Sequence, residues 1–314
     1  MSNNRSEGVG LLGVPLGFGA SQVGSELGVT AIRHSRIRGK KLVEHINDLN
    51  YVVEDHGDVE IIRPAENAKP GENPKYLREM VASCRNIKAS VSSIVERKEL
   101  PIILGGDHSM AIGTFSGIAS SSINGQDEVG LIWLDAHSDM NTPETSPTGN
   151  IHGMPLAILM GRGPEELVSL TGKSPILNNK FFAHVGARDL DLGERSLIHE
   201  LGLRDQFFTM SDIDRRGMPD CMKEALSIAS KAPGGFAVTF DIDVIDPRFA
   251  PGSGTLVRGG ATYREAHLAL EMIAEHGGMR SFEIVEVNPM LDQSNITVEL
   301  ACELILSALG KTIL

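Results

Sequence analysis

The chain has 314 residues, 41% of them hydrophobic, which is enough for a substantial buried core. Its 41 acidic and 29 basic residues leave a net charge of −12, and aromatic residues make up only 4%, so neither the cationic footprint nor the stacking surface of a nucleic-acid binder is present. No apolar run is long enough to span a membrane. The acidic balance suits a cationic small molecule or metal ions, and equally serves simple solubility. Cys84, Cys221 and Cys302 are odd in number and far apart, which reads as reduced thiols in a cytoplasmic protein. The polar start, Met1–Gly8, does not resemble a signal peptide and reads as a flexible lead.

Val9–Val14 predicts a first strand, Pro15–Gly28 a glycine-rich loop and Val29–Ile37 a short helix. Val52–Asp58 predicts a second strand and Arg63–Pro74 a loop. Lys75–Arg97 has the apolar spacing of a helix through Leu77, Met80, Val81, Ile87, Val91 and Ile94. Leu100–Leu104 is the next strand, with Pro101 near its start where strands tolerate it, and Ser109–Ser120 the helix after it. Val129–Leu134 is a strand that opens into a loop over residues 135–152, rich in Pro, Gly, Ser, Thr and Asn. Met154–Met160 is helical, Phe181–Gly186 a strand, Ser196–Leu201 a helix and Gln206–Thr209 a short strand. Ser211-Asp212 turns into a helix around Cys221–Ser230, followed by the strand Phe236–Phe240. Thr262–Glu275 is a helix, Met279–Val285 a strand and Thr297–Leu309 the closing helix. This alternation predicts one α/β domain over residues 1–314, with a mainly parallel sheet of about eight strands and helices on both faces.

Three of these strands run into metal-type ligands. Asp135, His137 and Asp139 follow Val129–Leu134 in alternation, and alternate residues of a strand share one face. Leu100–Leu104 runs into Gly105-Gly106-Asp107-His108-Ser109, and Phe236–Phe240 into Asp241-Ile242-Asp243-Val244-Ile245-Asp246-Pro247. α/β folds place ligands at the carboxyl ends of their strands, so the three ends fit one site. The plainer alternative is polar capping of each turn, which is the role assigned here to Asp246. The collected ligands are His108, Asp135, His137, Asp139, Asp241 and Asp243. Imidazole and carboxylate without thiol suit Mn, Mg or Ca and bring Fe, Co or Ni into range. The set exceeds what one ion with an open position needs, so the natural reading is two ions about 3.5–4 Å apart with an acidified water between them.

These motifs resemble the ureohydrolase family, which carries Gly-Gly-Asp-His, Asp-Ala-His-x-Asp and Asp-x-Asp-x-x-Asp-Pro in this order. The loop from Asn141 to Pro155 is similar to that of the arginase branch, as are Gly186–Asp191, Gly254-Thr255 and Glu286-Val287-Asn288-Pro289. Agmatinases share the metal motifs without that loop. The resemblance covers Gly10 to Leu309 and implies a three-layer sandwich, two Mn2+ ions (with Co2+ also accommodated) and hydrolysis of L-arginine to L-ornithine and urea. It implies that Asp139 accepts a proton and delivers it to the leaving nitrogen, that His152 shuttles protons to solvent, and that Glu286 pairs with the guanidinium. It further implies that Asn141, Thr148 and Asn150 donate to the substrate carboxylate, that Asp191 and Glu194 accept from its ammonium, and that Thr255 helps hold the guanidinium. Without the resemblance, the loop Asn and Thr residues read as ordinary turn chemistry. A homotrimer or homohexamer is implied as well. The alternatives are another ureohydrolase (agmatinase, guanidino-acid hydrolase or formimidoylglutamase) and a non-catalytic metal-binding scaffold. Gln22-Val23, Val29 and Leu256 depart from the arginase pattern; they bear on the first loop and the pocket rim and leave the ligands intact.

Overall fold

Eight strands form one sheet in the computed structural model, which describes residues 8–71, 73–121 and 128–313. The strands are β1 (Gly8–Val14), β2 (Val52–Asp58), β3 (Leu100–Gly105), β4 (Gly130–Leu134), β5 (Phe182–Val185), β6 (Phe207–Phe208), β7 (Phe236–Asp241) and β8 (Met279–Val285). Their order across the sheet is β2-β1-β3-β8-β7-β4-β5-β6, and every neighbouring pair is parallel. Strands buried on both faces need apolar side chains at successive positions rather than alternate ones, which is why β3, β4 and β7 read as continuous hydrophobic runs. Ile102, Leu104, Ile132 and Leu134 pack on one face with Ile32, Ile273 and Ile305, while Ile103, Leu131 and Trp133 pack on the other with Met80, Ile87 and Phe115. Each such side chain, fully buried, contributes about 1.5–3 kcal/mol relative to exposure. The sheet is thus the middle of three layers.

The strand order positions the site. β3, β8, β7 and β4 are successive neighbours, with Leu104 paired to Ile284, Val285 to Asp241 and Phe240 to Leu134. Because all four run the same way, the residues that follow them emerge side by side at one edge. Ligands from position 108 to position 243 and Glu286 therefore converge although the chain visits these strands out of spatial order. None of the helices among the described residues is long and apolar enough to cross a membrane.

Several elements differ from expectation for local reasons. Of the polar lead, residues 1–7 lie outside the described residues and Gly8 opens β1. The first helix is Gly28–His34, and Arg36–Ile37 instead pairs antiparallel with Lys40–Lys41. Arg38 and Gly39 both take positive φ (50° and 86°), the conformation that a two-residue hairpin turn demands. A further helix, Leu42–Asp48, follows. The helix expected at Ser196 begins at Leu192, because Asp191 and Glu194 form a reciprocal capping box at its start. Two helices, Met210–Arg216 and Met218–Ala229, stand in place of the turn and single helix expected around Cys221–Ser230, separated by Gly217 at φ 81°.

Candidate metal centre

Six side chains meet where β3, β7 and β4 end. His108 Nδ1 lies 3.1 Å from Asp135 Oδ2, 3.2 Å from Asp139 Oδ2 and 3.1 Å from Asp241 Oδ2. His137 Nδ1 lies 3.1 Å from Asp243 Oδ2 and 3.5 Å from Asp135 Oδ1. The candidate ligands thus fall into two groups, and Asp135 belongs to both, one oxygen to each. All are buried except His137, whose side chain keeps 25% of its exposure. Asp139 and Glu286 both hold left-handed backbone, φ 53° and 62°, a conformation that non-glycine residues keep only where the surroundings enforce it. The amide of Glu286 is held by Gly106 O at 2.8 Å, and the carbonyl of Asp139 accepts from Ala157 N at 3.2 Å.

The donors fit divalent cations. His108 Nδ1 is buried and makes no hydrogen bond of acceptable geometry, although three carboxylates surround it. Its Nε2 faces Thr239 Oγ1 at 2.9 Å, so the ring is anchored at the far nitrogen and presents the near one, as metal-binding histidines do. Burial and the Asp135 charge raise the Asp139 carboxyl well above the usual range. Burial, Asp243 and Asp135 do the same to Asp241. Burial opposes protonation of His108, but the surrounding carboxylates outweigh it and raise its pKa well above normal. His137 is raised likewise, chiefly by Asp243 and Asp135 against its own burial. Carboxylates that must share protons with imidazoles in this way are a site for cations, whose binding displaces those protons.

A supporting layer fixes the ligands. Trp133 Nε1 donates to Asp135 Oδ2 at 2.9 Å and stacks its ring on His108 at 4.2 Å. The His137 amide donates to Asp135 Oδ1 at 2.7 Å, and the Asp243 amide to Asp241 Oδ1 at 2.8 Å. Thr255 Oγ1 donates to Asp243 Oδ2 at 3.0 Å. Arg188 donates to the carbonyls of Asp243, Val244 and Val257. His184, pushed down to about 4 by burial, is a neutral imidazole whose Nε2 donates to His137 O at 2.7 Å. Asp107 accepts from Gly19 N at 2.8 Å and from the Ser109 amide and hydroxyl, tying the first glycine loop to the site. Sequence reasoning assigned no role to Trp133, Thr239, His184 or Arg188. For Trp133 and Thr239 a signal existed: each precedes an aspartate ligand by two, on the same strand face. His184 and Arg188 had none.

A cavity of about 200 Å³ opens onto the ligands, lined by His108, His137, Asp139 and Asp241 with Asn141, His152, Asp189, Asp191, Glu194 and Thr255. A larger cavity, about 720 Å³, is lined by Lys88, Met160, Thr171 and Asn178 rather than by the ligands. Glu286 is buried beside the ligand cluster; its Oε1 accepts from the His108 amide at 3.0 Å and meets His152 Nδ1 at 3.0 Å. Burial opposes charging of His152, but Glu286 outweighs it and the imidazole is pushed up to about 9. Asn141 Nδ2 donates to Asp191 Oδ2 at 2.8 Å. Asp191 and Glu194 exchange the bonds of their capping box, and Glu194 Oε1 also accepts from Ser138 Oγ at 2.8 Å. Burial raises the Glu194 carboxyl. Thr148 is exposed and accepts from the Asn150 amide at 3.2 Å. Asn150 lines a neighbouring groove of about 470 Å³, so these two residues lie at the rim while the other candidates line or flank the cavity.

The arginase family model matches residues 7–310. The arginase of Bacillus subtilis (strain 168) is 44% identical over 306 residues, covering 98% of this chain and 99% of its own. The solved structure of arginase from Bacillus caldovelox matches with a TM-score of 0.91 at 38% identity, covering 98% of this chain and 100% of that one. The crystal structure of Entamoeba histolytica arginase in complex with L-ornithine matches with a TM-score of 0.86 at 29% identity, again over 98% and 100%.

Proposed function

The chain belongs to the arginase family, and we propose that it hydrolyses L-arginine to L-ornithine and urea with two divalent cations, manganese foremost. The observation that carries this reading is the division of six ligands into two groups sharing Asp135. Bound there, the cations supply an acidified water able to attack at neutral pH.

The chain's own residues do the rest. Glu286 Oε1 is occupied by the His108 amide and His152, which leaves Oε2 as acceptor for the fork of guanidinium N–H groups. Asp139, its carboxyl raised by burial and Asp135, takes a proton and delivers it to the leaving nitrogen. His152, with 18% of its side chain exposed, passes protons between cavity and solvent. Asp191 accepts from the substrate ammonium, and Glu194 acts there by fixing Asp191 through the capping box. Asn141, Thr148 and Asn150 donate to the substrate carboxylate, and Thr255 helps hold the guanidinium. The ornithine bound to the Entamoeba relative supports an amino-acid head at this end. Free, buried Cys84, Cys221 and Cys302 support a reducing, cytoplasmic setting, and the family resemblance supports a homotrimer or homohexamer.

Agmatinase, guanidino-acid hydrolase, formimidoylglutamase and scaffold readings are not favoured, since relatives named arginase share 38–44% identity over nearly the whole chain. The test is urea release from L-arginine and from agmatine, with Mn2+ and after chelation. The expected kcat/KM for L-arginine exceeds that for agmatine by about a hundredfold or more, and chelation abolishes both. Preference for agmatine would overturn the assignments at the amino-acid end.

A further inference from the structure

The cavity over the ligands is walled by carboxylates, imidazoles and neutral groups, with no Lys or Arg among the described residues of its lining. An α-amino acid nevertheless brings a carboxylate to its mouth. We propose that Lys75 is a specificity-determining residue, which locks the Asn150 amide in a donating orientation and supplies the positive charge that the substrate carboxylate meets. The inference rests on the reading of the site as one for L-arginine.

Lys75 Nζ lies 2.9 Å from Asn150 Oδ1. An ammonium can only donate, so it selects the amide orientation with oxygen toward Lys75. The Nδ2 end then donates to Ser21 Oγ at 2.8 Å, and its second N–H is left to face a ligand. Without the ammonium, both orientations of the amide satisfy Ser21, whose hydroxyl can donate as well as accept. Asn150 itself is buried, at 7% exposure, while Lys75 is half-buried. The placement of Lys75 is built in. Its amide donates to Gly149 O at 2.9 Å, and Asn73 Nδ2 donates to the carbonyls of Pro143 and Ser146. The segment ahead of the helix Leu77–Glu96 is therefore fastened along the loop that carries Asn141, Thr148 and His152. Residues 150–153 run from one space to the other: Asn150 and Lys75 line the groove, His152 and Gly153 the cavity. A purely structural tie between the two segments would not distinguish one substrate head from another; a charge at the mouth would.

The experiment uses the full-length, Mn2+-loaded protein and its Lys75→Met and Lys75→Arg variants. L-Arginine is compared with L-argininamide, which keeps the guanidinium and ammonium but not the carboxylate charge, read as substrate or as competitive inhibitor. In Lys75→Met the KM for L-arginine is expected to rise about tenfold while kcat falls less than about threefold, the loss of one charge-assisted contact. Lys75→Arg, which keeps the charge, recovers most of that loss. The constant for L-argininamide moves less than about twofold, since it presents no carboxylate to the ammonium. Equal losses on both compounds, or none on L-arginine, would overturn the proposal. A wild-type protein inactive on L-arginine but active on agmatine would remove the reading of the site itself, and the proposal with it.

Discussion

Replacing Asp135 by Asn is expected to lower kcat/KM for L-arginine by about a thousandfold or more. Asp135 is the carboxylate common to both ligand groups, Oδ2 toward His108 and Oδ1 toward His137. Asn keeps its shape but removes the charge from both groups at once. It also sets an amide N–H against a donor, either Trp133 Nε1 or the His137 amide. Breaking one buried charged pair costs about 3–5 kcal/mol, and each 1.4 kcal/mol is about a factor of ten. Steady-state kinetics at saturating Mn2+, with metal content measured on the same sample, checks it. A variant with full metal content and a near-native rate would show that the shared carboxylate is dispensable.

The second large effect is on folding. Gly106→Ala is expected to destabilise the protein by about 4 kcal/mol or more, the range reserved for severe backbone or core conflicts. A Cβ at this position would overlap the carbonyl oxygen of Leu16. That carbonyl cannot retreat without loss, because it accepts from Asp107 N at 2.8 Å while Gly106 N donates to Val14 O at 2.9 Å. Gly106 O in turn accepts from the Glu286 amide, so the same small region joins the ends of β1, β3 and β8. Chemical denaturation followed by circular dichroism measures the loss. A wild-type midpoint would mean that the first glycine loop is not held against β3 in solution.

Much of the candidate site was legible because its candidate ligands sit at strand ends, where a switch from continuous apolar residues to alternating Asp and His is a local pattern. Asp135, His137, Asp139, Asp241 and Asp243 carry that signal, and His108 follows its strand in the Gly-Gly-Asp-His motif. The order β3-β8-β7-β4 is not local. Pairing Leu104 with Ile284 joins strands separated by most of the chain, and neither periodicity nor turn chemistry encodes which parallel neighbour a buried strand selects. Two of the small misses were readable in principle. Asp191-x-x-Glu194 is a capping-box pattern, and taking it only as a pair of acceptors hid the start of the helix Leu192–Glu200. Arg38-Gly39 closes a hairpin whose strands have only two residues each, too short for alternation to register. The contact between Lys75 and Asn150 has no sequence signature, since it depends on how two loops lie against each other.

The most direct test of the account is a titration of the chelated, metal-free protein with Mn2+, following urea release from L-arginine against equivalents added per chain. The account predicts no turnover without metal and a plateau at about two equivalents, one for each ligand group. Turnover by the metal-free protein, or a plateau at a single equivalent, would contradict it.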